Sequence, residues 1–164
     1  MVAISIILPT FNRATFLQDA FKSLSLQKFK NFEVIIIDDG SIDNTEEIVN
    51  QFKINSPFPI RFLKQTNMGP AIARNNGIKL ANSEFIAFFD SDDTWEDDHL
   101  SRAMSSFELD SELEWVYFAC RRIDYSSKNI TTPTTFYTDT VKNPLFNCVS
   151  EVNGELNYLD FEKA

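Results

Sequence analysis

The chain has 164 residues, of which 43 % are hydrophobic, and this is enough for one globular domain with a buried core. Its formal net charge of −9 argues against a nucleic-acid-binding surface, which is usually basic. The first apolar run lacks a preceding basic segment and is too short for a signal peptide core or a membrane span. Cys120 and Cys148 have no metal-binding spacing, so we expect two reduced thiols in a cytosolic protein.

Apolar runs alternate with segments of helical period over the first three quarters of the chain. The predicted strands cover residues 3–8, 33–38, 60–65, 84–89 and 115–123. The second of them, EVIIID, shows almost no alternation, which is typical of a strand covered on both faces. The predicted helices cover residues 15–26, 41–52, 70–80 and 97–107. This order predicts an α/β fold with a mainly parallel sheet and helices on both faces.

Local signals mark where two of these helices begin and where the pattern ends. Thr15 and Gln18 have the spacing of a capping box, and Pro70 suits the first turn of a helix. Residues 126–140 are rich in Ser, Thr and Asn, which predicts a hairpin or a loop. Residues 143–164 show no clear period.

Polar residues follow each of the first four predicted strands. These clusters are Pro9–Arg13, Asp38–Ser41, Asn67–Gly69 leading into Arg74, and Asp90–Asp93. In an open parallel sheet, ligands bind in the crevice beyond the carboxyl ends of the strands. We therefore expect a binding site at this edge.

The fourth cluster, in the stretch FFDSDDTWEDD, places Asp90 and Asp92 directly after an apolar strand. Hard oxygen ligands in a D-x-D arrangement suit Mg²⁺ or Mn²⁺, and a bound cation would relieve the repulsion between the carboxylates. A solvated acidic loop with helix-capping residues is a simpler interpretation. A phosphatase of the D-x-D-x-T type, using Asp90, Asp92 and Thr94, is another, although in that class the motif follows the first strand. A nucleotide-sugar transferase is the third.

The segments IILPTFNR, VIIIDDGSIDNT, NMGPAIARNNGI and FIAFFDSDD occur in this order and spacing. Together they resemble the family 2 glycosyltransferases of GT-A fold, over residues 2 to about 120. The resemblance implies a Rossmann-like nucleotide-binding half. It also implies inverting, metal-dependent transfer of a sugar from a nucleoside-diphosphate donor, most often UDP-linked, to a saccharide or another hydroxyl acceptor. The cofactor would be Mn²⁺ or Mg²⁺.

On the matching positions, the resemblance assigns residues to the nucleotide. Pro9, Thr10 and Phe11 would line the base pocket, and Phe11 offers a flat apolar face for stacking. Asp39 would accept a hydrogen bond from the imide N–H of the base. Arg74 would face the nucleotide, and Arg13 is a second candidate for the same neighbourhood.

The D-x-D cluster would complete the donor site. The resemblance implies that Asp90, with Ser91 beside it, binds ribose or sugar hydroxyls. Asp92 would be the principal metal ligand, with Asp93 close by. The metal would act as a Lewis acid on the leaving diphosphate.

An inverting transferase also needs a general base, which the sequence does not identify. The remaining acids of the C-terminal part are Glu151, Glu155, Asp160 and Glu162. We expect residues 1–125 to form the nucleotide-sugar-binding domain and residues 126–164 to begin an incomplete acceptor-side region of a longer enzyme. A nucleotide-sugar-binding module without its own turnover stays a second interpretation.

The expected partners follow from this interpretation. They are a nucleoside-diphosphate sugar and a saccharide acceptor, and not a nucleic acid. The resemblance implies a cytoplasmic protein that works at the inner face of the membrane, in peripheral association with the membrane or with partner enzymes.

Overall fold

The computed structural model describes residues 2–118, together with the short segments 122–123, 130–131, 149–152 and 155–158. Both cysteines lie outside the described residues. The described residues fall into two compact units, one within 1–101 and 148–164 and one within 102–147. The predicted domain division at residue 125 stays a prediction.

The first unit is built on a four-stranded parallel sheet in the order β3-β2-β1-β4. Its strands are β1 (Ile4–Thr10), β2 (Phe32–Asp38), β3 (Ile60–Lys64) and β4 (Phe85–Phe88). The helices are α1 (Ala14–Leu26), α2 (Thr45–Ile54), α3 (Pro70–Leu80) and α4 (His99–Leu109). The predicted mainly parallel α/β fold is confirmed.

The two central strands are buried along their whole length because helices cover both faces of the sheet. On one face, Ile7, Ile35 and Ile37 pack with Ala73 of α3. On the other face, the ring of Phe32 lies 4.8 Å from that of Phe58, in a cluster that continues into α1 and α2. This two-sided burial explains why the sequence of β2 does not alternate.

The predicted fifth strand over residues 115–123 is wrong in its first part, and residues 119–121 lie outside the described residues. Residues 115–118 are not in a strand, and the half-exposed rings of Trp115 and Tyr117 stack on each other 5.3 Å apart. The short strand β5 (Arg122–Ile123) pairs antiparallel with β6 (Ile130–Thr131) instead of extending the parallel sheet. Trp115 and Tyr117 therefore contact each other and stay partly exposed.

The predicted capping box of α1 is also wrong. The helix begins at Ala14, and no side chain of its own N-cap residue bonds to it. Instead, Asp43 accepts a hydrogen bond from the Ala14 N–H at 3.1 Å. The cap comes from a distant loop, which leaves Thr15 and Gln18 without a capping role.

The C-terminal part contains a hairpin that we did not predict from the sequence. Strand β7 (Val149–Val152) pairs antiparallel with β8 (Glu155–Tyr158). The two intervening residues are Asn153 and Gly154, a dipeptide typical of two-residue hairpin loops, so the signal was present in the sequence. In the part of the chain that the structure describes, no helix has the length and apolar character needed to cross a membrane.

Candidate functional site at the carboxyl edge of the sheet

The first polar cluster lies at the end of β1, and its last three residues are exposed. Pro9 and Thr10 are buried at the end of the strand, whereas Phe11 keeps 44 % of its surface exposed and Arg13 lies at the surface. Between them, Asn12 adopts a φ of 51°, a left-handed conformation uncommon for a residue other than glycine. This turn separates the ring of Phe11 from the strand and leaves it accessible to a ligand.

The second cluster, after β2, is bonded directly to the first. The Asn12 N–H donates to Ser41 Oγ, and the Ile42 N–H donates to Asn12 Oδ1, both at 2.9 Å. Asp38 is fully buried, and its Oδ1 accepts from the Ser41 N–H. The other carboxylate oxygen of Asp38, Oδ2, lies 3.8 Å from Lys64 Nζ. These bonds fix the two loops relative to each other.

Asp39 holds the loop between β3 and α3. Its Oδ1 accepts hydrogen bonds from Gln65 Nε2 at 2.7 Å and from the Met68 N–H at 2.8 Å, and its Oδ2 accepts from the Gly69 N–H at 2.8 Å. The loop passes so close to Gly40 (φ 83°) that a Cβ there would lie 3.0 Å from the Asn67 nitrogen. These contacts hold the third cluster against the second. The predicted contact of Asp39 with a base stays a prediction.

Two aspartates of the fourth cluster pair with arginines, one at the start of α1 and one on α3. Arg74, whose side chain is only 10 % exposed, forms an ion pair with Asp90. Arg13 lies 3.7 Å from Asp92, and both of these side chains are about half exposed. The structure therefore brings the predicted site residues of three loops together, with each aspartate of the D-x-D motif facing one arginine.

Asp93 is the carboxylate with the least favourable surroundings in this cluster. Its N–H donates to the Asp90 carbonyl at 3.0 Å in a tight turn that also buries Ser91. Desolvation by the surrounding protein, and then repulsion from Asp90 and Asp92, raise the pKa of the Asp93 carboxyl above its ordinary value. A cation near Asp93 would reverse this effect.

The donor set fits a divalent cation that also binds substrate. Within residues 2–118, no three His, Cys, Asp or Glu side chains are grouped to hold a metal on their own. Mg²⁺, however, binds through one or two carboxylates and completes its shell with water and substrate phosphates, and Mn²⁺ takes the same oxygen ligands. The neighbouring carboxylates of Asp92 and Asp93 satisfy that requirement.

Two residues of this edge were not predicted from the sequence. Gln65 donates to Asp39, and Asn76 Nδ2 donates in turn to Gln65 Oε1 at 2.7 Å. The only sequence signal was the position of Asn76 two residues after Arg74, within the matched ARNNG segment. Nothing local distinguished Gln65 at the end of β3.

A family model described as "Glycosyl transferase family 2" matches residues 5–153. The chain belongs to glycosyl transferase family 2. The resemblance found in the sequence is thereby confirmed, and the phosphatase interpretation of Asp90, Asp92 and Thr94 is set aside. The match includes all four polar clusters and all of the parallel sheet except Ile4.

Several proteins named as glycosyltransferases are similar to part of this chain. An uncharacterized glycosyltransferase of Rickettsia felis is 41 % identical over 105 residues, covering 64 % of this chain and 17 % of the relative. The putative teichuronic acid biosynthesis glycosyltransferase TuaG of Bacillus subtilis is 30 % identical over 152 residues, covering 90 % and 60 %. The GalNAc(5)-diNAcBac-PP-undecaprenol beta-1,3-glucosyltransferase of Campylobacter jejuni is 40 % identical over 94 residues, covering 57 % and 30 %. The chain thus spans less than two thirds of the length of each of these relatives.

Solved structures agree with the family assignment. TarS (1–349) of S. aureus, in complex with UDP and in complex with UDP-GlcNAc, is 32 % identical with a TM-score of 0.62, covering 66 % of this chain and 32 % of TarS. The mannosyltransferase PcManGT of Pyrobaculum calidifontis, in complex with GDP-Man and Mn²⁺, has a TM-score of 0.60 at 24 % identity, covering 63 % of this chain and 32 % of its own. The second likeness concerns the fold alone. The predicted GT-A fold is confirmed.

Proposed function

We propose that the carboxyl edge of the sheet is the donor site of an inverting, metal-dependent glycosyltransferase that uses a UDP-sugar. The observation that carries the proposal is the pairing of the D-x-D aspartates with Arg74 and Arg13 at one edge of a parallel sheet. A site with both signs of charge can bind a diphosphate and a cation together. The UDP and UDP-GlcNAc complexes of TarS support the choice of nucleotide.

The nucleobase would lie between the first two loops. Pro9 and Thr10 form the buried floor of this pocket, and the exposed ring of Phe11 provides a stacking surface. Asp39 already accepts three hydrogen bonds, and its Oδ2 has room for a fourth, from the base imide N–H.

The diphosphate and the sugar would lie toward the fourth cluster. Arg13 is exposed and only loosely paired with Asp92, so it can turn toward a phosphate at little cost. Arg74 holds Asp90, which with Ser91 would bind ribose or sugar hydroxyls. Asp92 and Asp93 would hold Mn²⁺ or Mg²⁺, which when bound supplies Lewis-acid stabilisation of the leaving diphosphate.

The acceptor side lies beyond these residues. We propose that this chain is the donor-binding portion of a longer enzyme, since it spans only 17 to 60 % of the relatives named above. The similarity to TuaG, of teichuronic acid biosynthesis, and to a glucosyltransferase that acts on a PP-undecaprenol-linked saccharide supports a cell-envelope saccharide as acceptor. An enzyme of this kind would work in the cytoplasm, in peripheral contact with the inner face of the membrane or with partner enzymes.

Calorimetric titration of UDP, with and without Mn²⁺, tests the donor site. We expect a dissociation constant on the order of micromolar that requires Mn²⁺ and is lost in Asp92→Ala. The matched control is Asp97→Ala, because Asp97 is an exposed aspartate of the same loop that pairs with Lys28. Absence of UDP binding in the presence of Mn²⁺, or equal binding by Asp92→Ala, would contradict the proposal.

A further inference from the structure

We propose that Gln65 is a positioning residue that sets the base selectivity of the donor site. By holding the carboxylate of Asp39 in one orientation, with Oδ2 directed to a ligand, Gln65 favours a base that presents an N–H donor, as uracil does, over cytosine. This inference rests on the proposed function of the same edge.

The hydrogen bonds of Asp39 leave a single position for a ligand. A carboxylate has about four acceptor positions, two on each oxygen. In the described residues, Gln65 Nε2 and the Met68 N–H occupy both positions on Oδ1, and the Gly69 N–H occupies one on Oδ2. The remaining position on Oδ2 can receive one donor, and Asp39 is only 4 % exposed, so little else can reach it.

The amide of Gln65 can take only one orientation in this network. Its Oε1 accepts from Asn76 Nδ2 at 2.7 Å, and its Nε2 donates to Asp39 at 2.7 Å. Turning the amide over would place its oxygen against a carboxylate oxygen and its NH₂ against the NH₂ of Asn76. Asn76 on α3 therefore fixes Gln65, and Gln65 fixes the orientation of the Asp39 carboxylate.

An acceptor-only group discriminates between the two pyrimidines. The N3 of uracil carries a hydrogen and donates to a carboxylate, whereas the N3 of cytosine presents a lone pair, which a carboxylate repels. A site built around such a bond rejects the analogue that cannot make it, because its buried polar group is then left unpaired.

The Gln65→Glu variant tests the hydrogen bond from Gln65 to Asp39 separately from the hydrogen bond between Gln65 and Asn76. The substituted side chain keeps an acceptor for Asn76 but replaces the donor to Asp39 with a second carboxylate. Two carboxylates this close repel each other, so the Asp39 carboxylate should turn away from residue 65. Its Oδ2 then leaves the position from which it accepts the N–H of uracil, and the advantage of uracil over cytosine falls.

The experiment compares the dissociation constants of UDP and CDP by calorimetry in the presence of Mn²⁺. For the wild-type protein we expect a preference for UDP of about tenfold or more. Gln65→Glu should reduce the UDP/CDP preference by about tenfold. Gln18→Glu makes the same change of charge on the exposed surface of α1 and should leave the preference unchanged. Melting temperatures check that each variant is folded.

A folded Gln65→Glu variant with the wild-type preference would overturn the inference while leaving the donor site in place. A wild-type protein that binds UDP and CDP equally would overturn it as well. If UDP does not bind the wild-type protein at all, both the inference and the proposed function fail. Should Gln65→Glu not fold, Gln65→Met, which is uncharged and similar in length, should lower the preference about threefold, and an unchanged ratio would again count against Gln65.

Discussion

Five aspartates crowd the carboxyl edge of the sheet, and their surroundings differ. Asp38 accepts a hydrogen bond from Ser41 of its own turn, Asp39 accepts from the loop before α3, and Asp90 and Asp92 face arginines. For Asp93, the described residues supply no cation within 4.0 Å, the limit for an ion pair, and its pKa is raised by desolvation and by repulsion from Asp90 and Asp92. An ionised Asp93 therefore costs stability in the metal-free protein.

Asp93→Asn should raise the melting temperature of the metal-free protein at neutral pH, because it removes this like-charge repulsion. Since the folded-state pKa is raised, the cost of the ionised group is present above that pKa and disappears as the pH falls through it. The gain in the variant should therefore vanish in acid. Thermal denaturation at several pH values measures this.

Added Mn²⁺ should reveal the second role of Asp93, which is that of a metal ligand. It should raise the melting temperature of the wild-type protein more than that of Asp93→Asn, because the variant has lost a ligand. Asp97→Asn is the contrasting control, because it carries the same change of charge but loses the ion pair with Lys28, at 3.0 Å. A lower melting temperature of metal-free Asp93→Asn would refute this account of the cluster.

Sequence reasoning at the residue scale found the charged groups but not what orients them. Asp39, Arg74, Asp90 and Asp92 stand in recognisable segments. The bond from Gln65 to Asp39, by contrast, joins residues 26 positions apart. Such a partner depends on how two loops meet, and no local pattern encodes that.

At the scale of elements, the first four strands and four helices were predicted to within a few residues. Their apolar runs are short, bounded by turn residues, and buried between helices, so local pattern and tertiary packing agree. The run at 115–123 has the same apolar composition, but composition does not specify which sheet a strand joins. That choice depends on packing partners, and Trp115 and Tyr117 stay about half exposed in contact with each other.

The contact between α3 and β1 depends on the absence of a side chain at Gly77. A Cβ at this position would lie 2.4 Å from Ile7 Cγ2. Alanine in a helix normally stabilises by about 1 kcal/mol relative to glycine. Overpacking a core costs about 1–3 kcal/mol, so we expect Gly77→Ala to lower the free energy of unfolding.

A double-mutant cycle measures whether the clash is the cause. Ile7→Ala removes Cγ2, so Gly77→Ala should cost less in the Ile7→Ala background than in the wild-type protein. Urea denaturation of the four proteins gives the coupling. Strictly additive effects would mean that the α3–β1 contact is not what Gly77 serves.

Asp43 joins the starts of two helices. Its Oδ2 accepts from the Ala14 N–H of α1, and its Oδ1 accepts from the Thr45 N–H of α2. Helix N-termini favour a negative charge, so Asp43→Ala should lower the free energy of unfolding by about 1 kcal/mol. Asn44→Ala is a suitable control, because Asn44 makes no side-chain cap to α2.

The contribution of Asp43 should depend on pH. Desolvation alone would raise its pKa, but the hydrogen bonds from Thr45 and Ala14 outweigh it and hold the pKa below the ordinary value of 3.8. A lowered folded-state pKa means stabilisation that is present above 3.8 and is lost as the pH falls through the folded value. The difference between the wild-type protein and Asp43→Asn should therefore shrink as the pH is lowered below 3.8. A difference that stays constant as the protein is acidified below 3.8 would argue against the ionised cap.

For the molecule as a whole, the negative net charge opposes the binding of a diphosphate. A chain with a net charge of −9 that binds a diphosphate must overcome long-range repulsion with a few local cations. Arg13, Arg74 and a divalent ion on the D-x-D cluster are the groups that could do so. The fold class and this edge could be predicted because parallel sheets gather their strand ends, whereas the acceptor side could not, because the chain spans only part of its relatives.

A crystal structure of the protein with UDP and Mn²⁺ tests the central claim most directly. We predict the uracil ring against Phe11, with its N3 bonded to Asp39 Oδ2, and Mn²⁺ between the diphosphate and Asp92. We also predict that Gln65 keeps its bond to Asp39 in this complex. A nucleotide bound elsewhere on the molecule, or a diphosphate that contacts neither Arg13 nor the metal on Asp92, would contradict the account.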